Sequence, residues 1–101
     1  MAKGYWIALV EVKDMDGYRN NYVAGLPDVL RKFGGRYVTR GGQTEVVEGK
    51  SKSRVVILEF PSYQAAMDCY RSPEYAKVKA HRLAFADADL IVIEGYDSAQ
   101  P

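Results

Sequence analysis

Residues 4–12, GYWIALVEV, split by alternation into Trp6, Ala8, Val10, Val12 and Tyr5, Ile7, Leu9, Glu11. Both sets are mostly apolar, and β-branched and aromatic residues dominate, so the segment reads as a strand covered on both sides. SRVVILEF (53–60) repeats that pattern, and DLIVIEGY (89–96) carries the apolar run of a buried strand from Leu90 to Ile93. RYVTR (36–40) is a shorter strand, and TEVVEG (44–49) an irregular extended arm. Between the strands the period becomes helical. Tyr22, Leu26, Val29, Leu30 and Phe33 share one face of a first helix. Asp14 or Asp16 can accept from its free amides, and Gly34-Gly35 supply the left-handed residue that ends it. Pro27 lacks an N–H and clashes with the carbonyl of Val23, which predicts a kink or break there. A second helix is capped by Ser62 and turns Ala65, Ala66, Cys69 and Tyr70 inward. SPEY (72–75) restarts it, with Ser72 as cap and Pro73 at the first helical position.

The order is β-α-β-β-α-β, the split arrangement of ferredoxin-like α+β domains, with strand order 4-1-3-2 and two helices on one face of an antiparallel sheet. One domain spans residues 1–97, followed by a short tail, 98–101. The helices can cover only one sheet face, yet three strands are apolar on both. Large open apolar faces are rare on soluble monomers. A homodimer through the open face is therefore expected.

Composition changes this picture little. Fourteen basic and thirteen acidic residues leave a net charge of +1, which argues against nucleic acid and anionic membranes as partners. GKSKSR (49–54) reads as a solvated turn. A single cysteine, Cys69, allows no intrachain disulfide, and no apolar run approaches a membrane span. A cytoplasmic location is the default expectation.

Candidate chemistry is sparse. Phosphate-gripping glycine loops follow a strand and open onto a helix. Gly34-Gly35 follow a helix, and Gly41-Gly42 follow a strand and lead to an extended arm, so they read as the joints of a hairpin. One His and one Cys make no nitrogen- or sulfur-rich metal site, and no cofactor is expected. His81 shares a helix face with Val78 and Phe85 and is expected to be partly buried. Glu11, Glu59 and Glu94 stand near strand ends in apolar patterns, Glu59 and Glu94 at one end of the sheet, Glu11, Arg40 and Arg54 at the other. A carboxylate against apolar walls holds its proton more tightly, which makes Glu59 the acid–base candidate; pairing with an arginine is the structural alternative. Arg40 would orient an anionic group. Tyr22, Tyr70, Tyr75 and Arg82, with Tyr18 beside Tyr22 on the first helix, would surround an apolar cavity suited to a small aromatic or carboxylated ligand, although tyrosines at the rim of a core give the same pattern.

KGYWI, GGRYVTRGG, VVILEFPS, YRSPEY and the late EG, taken in order, resemble the bacterial domain-of-unknown-function family 1330. The resemblance runs from Lys3 to about Gly95. It implies a dimeric α+β barrel of ferredoxin-like subunits, related in architecture to small monooxygenases and isomerases acting on aromatic or lactone substrates. It assigns no activity and no catalytic residue. Two functions follow as expectations: a cofactor-independent enzyme or binder of a small aromatic or carboxylated molecule, and a non-catalytic dimeric ligand-binding or protein-interaction module.

Overall fold

The computed structural model describes residues 2–101. Strands β1 (Gly4–Val12), β2 (Arg36–Arg40), β3 (Arg54–Phe60) and β4 (Ala86–Glu94) form one antiparallel sheet in the order β2-β3-β1-β4. This is the expected ferredoxin-like α+β topology. The helical segments are α1 (Met15–Gly17), a π-helical stretch (Tyr18–Val23), α2 (Ala24–Phe33), α3 (Tyr63–Arg71) and α4 (Pro73–Phe85). No helix among the described residues is long and apolar enough to cross a membrane.

Local chemistry sets the boundaries. Asp14 caps the first helix by accepting from the amide of Gly17 at 3.2 Å, and Gly34 ends it at φ 74°. Ser62 and Ser72 accept from the amides of Ala65 and Tyr75 at 3.0 and 3.1 Å, capping α3 and α4. Pro27 does not break the helix. The irregularity lies upstream, in the π-helical stretch, whose wider turn ends at Val23, the residue whose carbonyl a proline four positions on would meet. Two further expectations are corrected. β4 begins at Ala86 rather than at Asp89, because Ala86 to Ala88 still pair with Val12 to Val10, and it ends at Glu94. His81 is exposed, on the solvent side of α4.

The core lies between the sheet and the helices. Trp6, Val10, Val56, Leu58 and Phe60 from the inner sheet face meet Tyr18, Leu26, Leu30, Ala66, Cys69 and Tyr75. Trp6 is its centre: its ring lies 4.9 Å from Tyr75, 5.2 Å from Phe60 and 5.9 Å from Tyr70, and its indole N–H donates to the Ala66 carbonyl at 2.8 Å. No helix covers the other face. There, one row runs Ile57–Ile7–Ile91 across three strands, and Ile91 and Ile93 are exposed.

Truncating Trp6 to alanine removes a fully buried ring together with its hydrogen bond. The expected loss is about 3–5 kcal/mol in urea unfolding; a loss under about 1 kcal/mol would place the centre of the core elsewhere.

Candidate functional site

The inner sheet face and the first helix enclose a cavity at the end of the sheet where β1 finishes and β3 begins. Its volume is 20 Å³, room for about one water. Apolar walls come from Trp6, Val10, Leu26, Val56, Leu58 and Leu90, tyrosines from positions 18, 22 and 37, and cationic groups from Arg40, Arg54 and Arg82. A wider cleft of 410 Å³ shares Tyr18, Val23, Arg40 and Arg54 with this cavity and adds Met15 and Arg19. Among the described residues no carboxylate lines either space.

Each cationic group arrives by a different local device. Arg54 stands two residues before Val56 and four before Leu58 on β3, so alternation turns it inward. It packs against Gly41, where an added Cβ would stand 2.3 Å from Arg54 Nη1 and the φ of 67° already favours glycine. Arg40 owes its side to a bulge. Tyr37 pairs with Leu58, Val38 is skipped, and Thr39 and Arg40 pair with Ile57 and Val56. The extra residue flips the alternation and puts Arg40 on the inner face with Tyr37, whose ring it covers at 4.4 Å. Arg82 comes from α4 and is only 6% exposed. Its Nη1 donates to the Tyr75 hydroxyl at 2.9 Å, and the Tyr75 and Tyr22 hydroxyls are bonded at 2.9 Å.

The charges here are unbalanced. Among the described residues, none of Arg40, Arg54 and Arg82 forms an ion pair with a carboxylate. The Nε atoms of Arg54 and Arg82 are buried without a hydrogen-bond partner. Glu11, at the same end of the sheet, faces outward and accepts from the amide and hydroxyl of Ser53 at 3.2 and 2.6 Å. Burial raises the pKa of Tyr18, Tyr22 and Tyr75, Tyr22 most clearly, so these phenols stay protonated at neutral pH.

The six site candidates from the sequence divide among four places. Arg40, Tyr22 and Arg82 line the cavity. Tyr75 is fully buried behind it, where it holds Arg82 and Tyr22. Tyr70 lies in a separate groove of 320 Å³ with Tyr63, Met67, Leu90 and Val92, and accepts from Lys79 at 2.9 Å. Glu59 is on the opposite sheet face, at the other end. It accepts from Arg36 at 2.9 Å, Lys3 at 3.2 Å and Tyr5 at 3.1 Å. The hydrogen bond from Arg36, then that from Lys3, pulls its carboxyl from the ordinary 4.5 down to about 2. That reverses the direction a general base requires, and Glu59 is the arginine-paired carboxylate of the structural alternative. Tyr18, grouped with Tyr22 on the first helix in the sequence, lines the cavity as well. Sequence reasoning missed Arg54 and Tyr37 as wall residues, although alternation on β3 marks Arg54. Cys69 is buried, and its thiol is pushed up to about 12. Among the described residues no group of three or more His, Cys, Asp and Glu side chains could hold a metal ion.

A family model described as "Domain of unknown function (DUF1330)" matches residues 3–96. The chain belongs to this family. No curated protein matches its sequence. The structure is similar to the RPA0582 protein of unknown function from Rhodopseudomonas palustris, with TM-score 0.72 and 24% identity over 96% of this chain and 85% of that one. It also resembles a hypothetical Arabidopsis thaliana protein, AT3G17210, with TM-score 0.68 and 10% identity over 99% and 94% of the two chains. SnoaB from Streptomyces nogalater, a cofactor-independent oxygenase, matches with TM-score 0.60 and 10% identity over 97% of each chain. At these identities the likeness concerns the fold alone, and fold does not fix chemistry.

The Glu59 cluster generates a pH prediction. A carboxyl held near 2 in the folded chain and near 4.5 when unfolded stabilises the fold above the unfolded value. That contribution is lost as pH falls through the folded value. Glu59→Gln should therefore melt below the wild type at pH 7, with the gap closing between pH 4.5 and 2. A gap that stays constant across that window would show that Glu59 contributes no linked charge.

Proposed function

We propose that the protein binds a small organic anion in the arginine-lined cavity. The observation that carries this reading is the charge imbalance: arginines 40, 54 and 82 line one space that no carboxylate of the described residues enters. A guanidinium removed from water without a counter-charge is destabilising, and a bound anion supplies that charge. The apolar and tyrosine walls suit the rest of a small organic molecule, and the outer cleft of 410 Å³ lies within the usual size of ligand pockets.

Binding is favoured over acid–base catalysis, because the lining supplies arginines and protonated phenols and no group that would take up a proton at neutral pH. SnoaB, a cofactor-independent oxygenase, shows that one protein of similar fold is an enzyme. A reactive substrate could therefore be turned over in this cavity, with the arginines stabilising its negative charge. The working form in this proposal is a homodimer, packed through the Ile57–Ile7–Ile91 face that no helix covers.

Thermal unfolding with a panel of small carboxylates, phosphonates and their neutral amides tests the ligand class. At ten times its Kd an anion should raise Tm by about 7 °C, its amide should not, and Arg54→Ala should weaken the effect. A panel in which no anion moves Tm at about 10 mM, far above the micromolar range of specific binders, would end the reading. For the assembly, sedimentation at micromolar concentration should give a dimer, and Ile7→Glu a monomer; a monomeric wild type contradicts it.

A further inference from the structure

We propose that the ligand is an aryl carboxylate that binds carboxylate-first, pairing side-on with the buried guanidinium of Arg82. This rests on the anion-binding reading above and specifies its chemistry and orientation. Arg82 is the deepest cation of the site, 6% exposed against an exposed Arg40. Its Nη1 donates to the neutral Tyr75 hydroxyl at 2.9 Å, while Nε is buried with no acceptor among the described residues. Arg54 Nε is buried and unpartnered in the same way, on the same cavity. Two buried donor atoms on one cavity are therefore without acceptors, and the Nε edge of a guanidinium is the edge that takes a carboxylate with two parallel hydrogen bonds.

Shape decides between anions. The inner cavity, at 20 Å³, takes a water-sized group, whereas the outer cleft offers 410 Å³. One carboxylate oxygen fills the first, and the body of the ligand lies in the second. A tetrahedral phosphonate or sulfonate carries three oxygens around its centre and brings more bulk to the same small space than a planar carboxylate. The body meets Met15, Val23 and the Tyr18 ring, with Arg19 and Arg40 beside them. Apolar and aromatic surface beside guanidinium groups favours a flat aromatic ring. The exposed Arg40, stacked on Tyr37, then steers the anion inward and is not its final partner.

Calorimetry with benzoate, benzamide and phenylphosphonate tests this on the full chain. Benzoate should bind, benzamide should not, and phenylphosphonate should bind at least about fivefold more weakly than benzoate. Arg82→Gln should weaken benzoate at least about tenfold, the loss of a charge-assisted pair, and Arg82→Lys should recover part of it. Arg40→Ala should weaken benzoate by less than Arg82→Gln, with a smaller dependence on salt. A benzoate Kd within about twofold of wild type in Arg82→Gln, or a preference for phenylphosphonate, overturns the proposal while leaving the site an anion site. Failure of every anion to bind overturns that reading as well. Should Arg82→Gln not fold, the ¹H–¹⁵N resonances of buried arginine Nε groups in the wild type decide. Benzoate should shift one strongly downfield, and unchanged resonances at saturating benzoate would contradict the proposal.

Discussion

A guanidinium buried beside neutral phenols is the constraint around which this end of the molecule is arranged. Arg82 reaches from α4 to Tyr75, and Tyr75 to Tyr22 in the π-helical stretch, so three hydrogen-bonding groups tie the second half of the chain to the first. Tyr75 is also packed against Trp6, which anchors α3 through the Ala66 carbonyl. The polar chain is thus held in the best-packed part of the core. It cannot relax toward solvent to hydrate its charge without disturbing Trp6. A cation fixed in this way, with its Nε unsatisfied, is preorganised for an anion.

The sheet separates two kinds of charge. On the outer face Glu59 satisfies Arg36, Lys3 and Tyr5, and that cluster is complete in itself. On the inner face three arginines share a space with no carboxylate. Both arrangements use strand-end arginines, and only the second leaves donors without acceptors. The distinction depends on one residue: the bulge at Val38 sends Arg36 to the outer face and Arg40 to the inner one. Regular pairing would have put both on the same side.

Much of this could be read from the residues. Strand alternation in GYWIALVEV and VVILEF, the serine caps and the Gly34 stop specify the elements and their order. What pairwise pattern could not show was the bulge, because RYVTR carries no glycine or other mark of an extra residue. Nor could it show which carboxylate meets which cation, since Glu59 and Arg36 are 23 positions apart and join only through the β2–β3 register. The π-helical stretch was equally silent: Pro27 announced a disturbance, but the wider turn falls before it, where the sequence YRNNYV reads as ordinary helix. Candidate site residues chosen by type alone were therefore scattered among four locations, while alternation already marked Arg54.

The most direct measurement is a crystal structure of the protein soaked with or grown in benzoate. Ring density is expected in the cleft beside Tyr18, with a carboxylate oxygen about 2.7–3.1 Å from Arg82 Nε. Benzoate seated with its carboxylate outward on Arg40, or lodged in the Tyr63–Met67 groove with the arginine cavity empty, would contradict it.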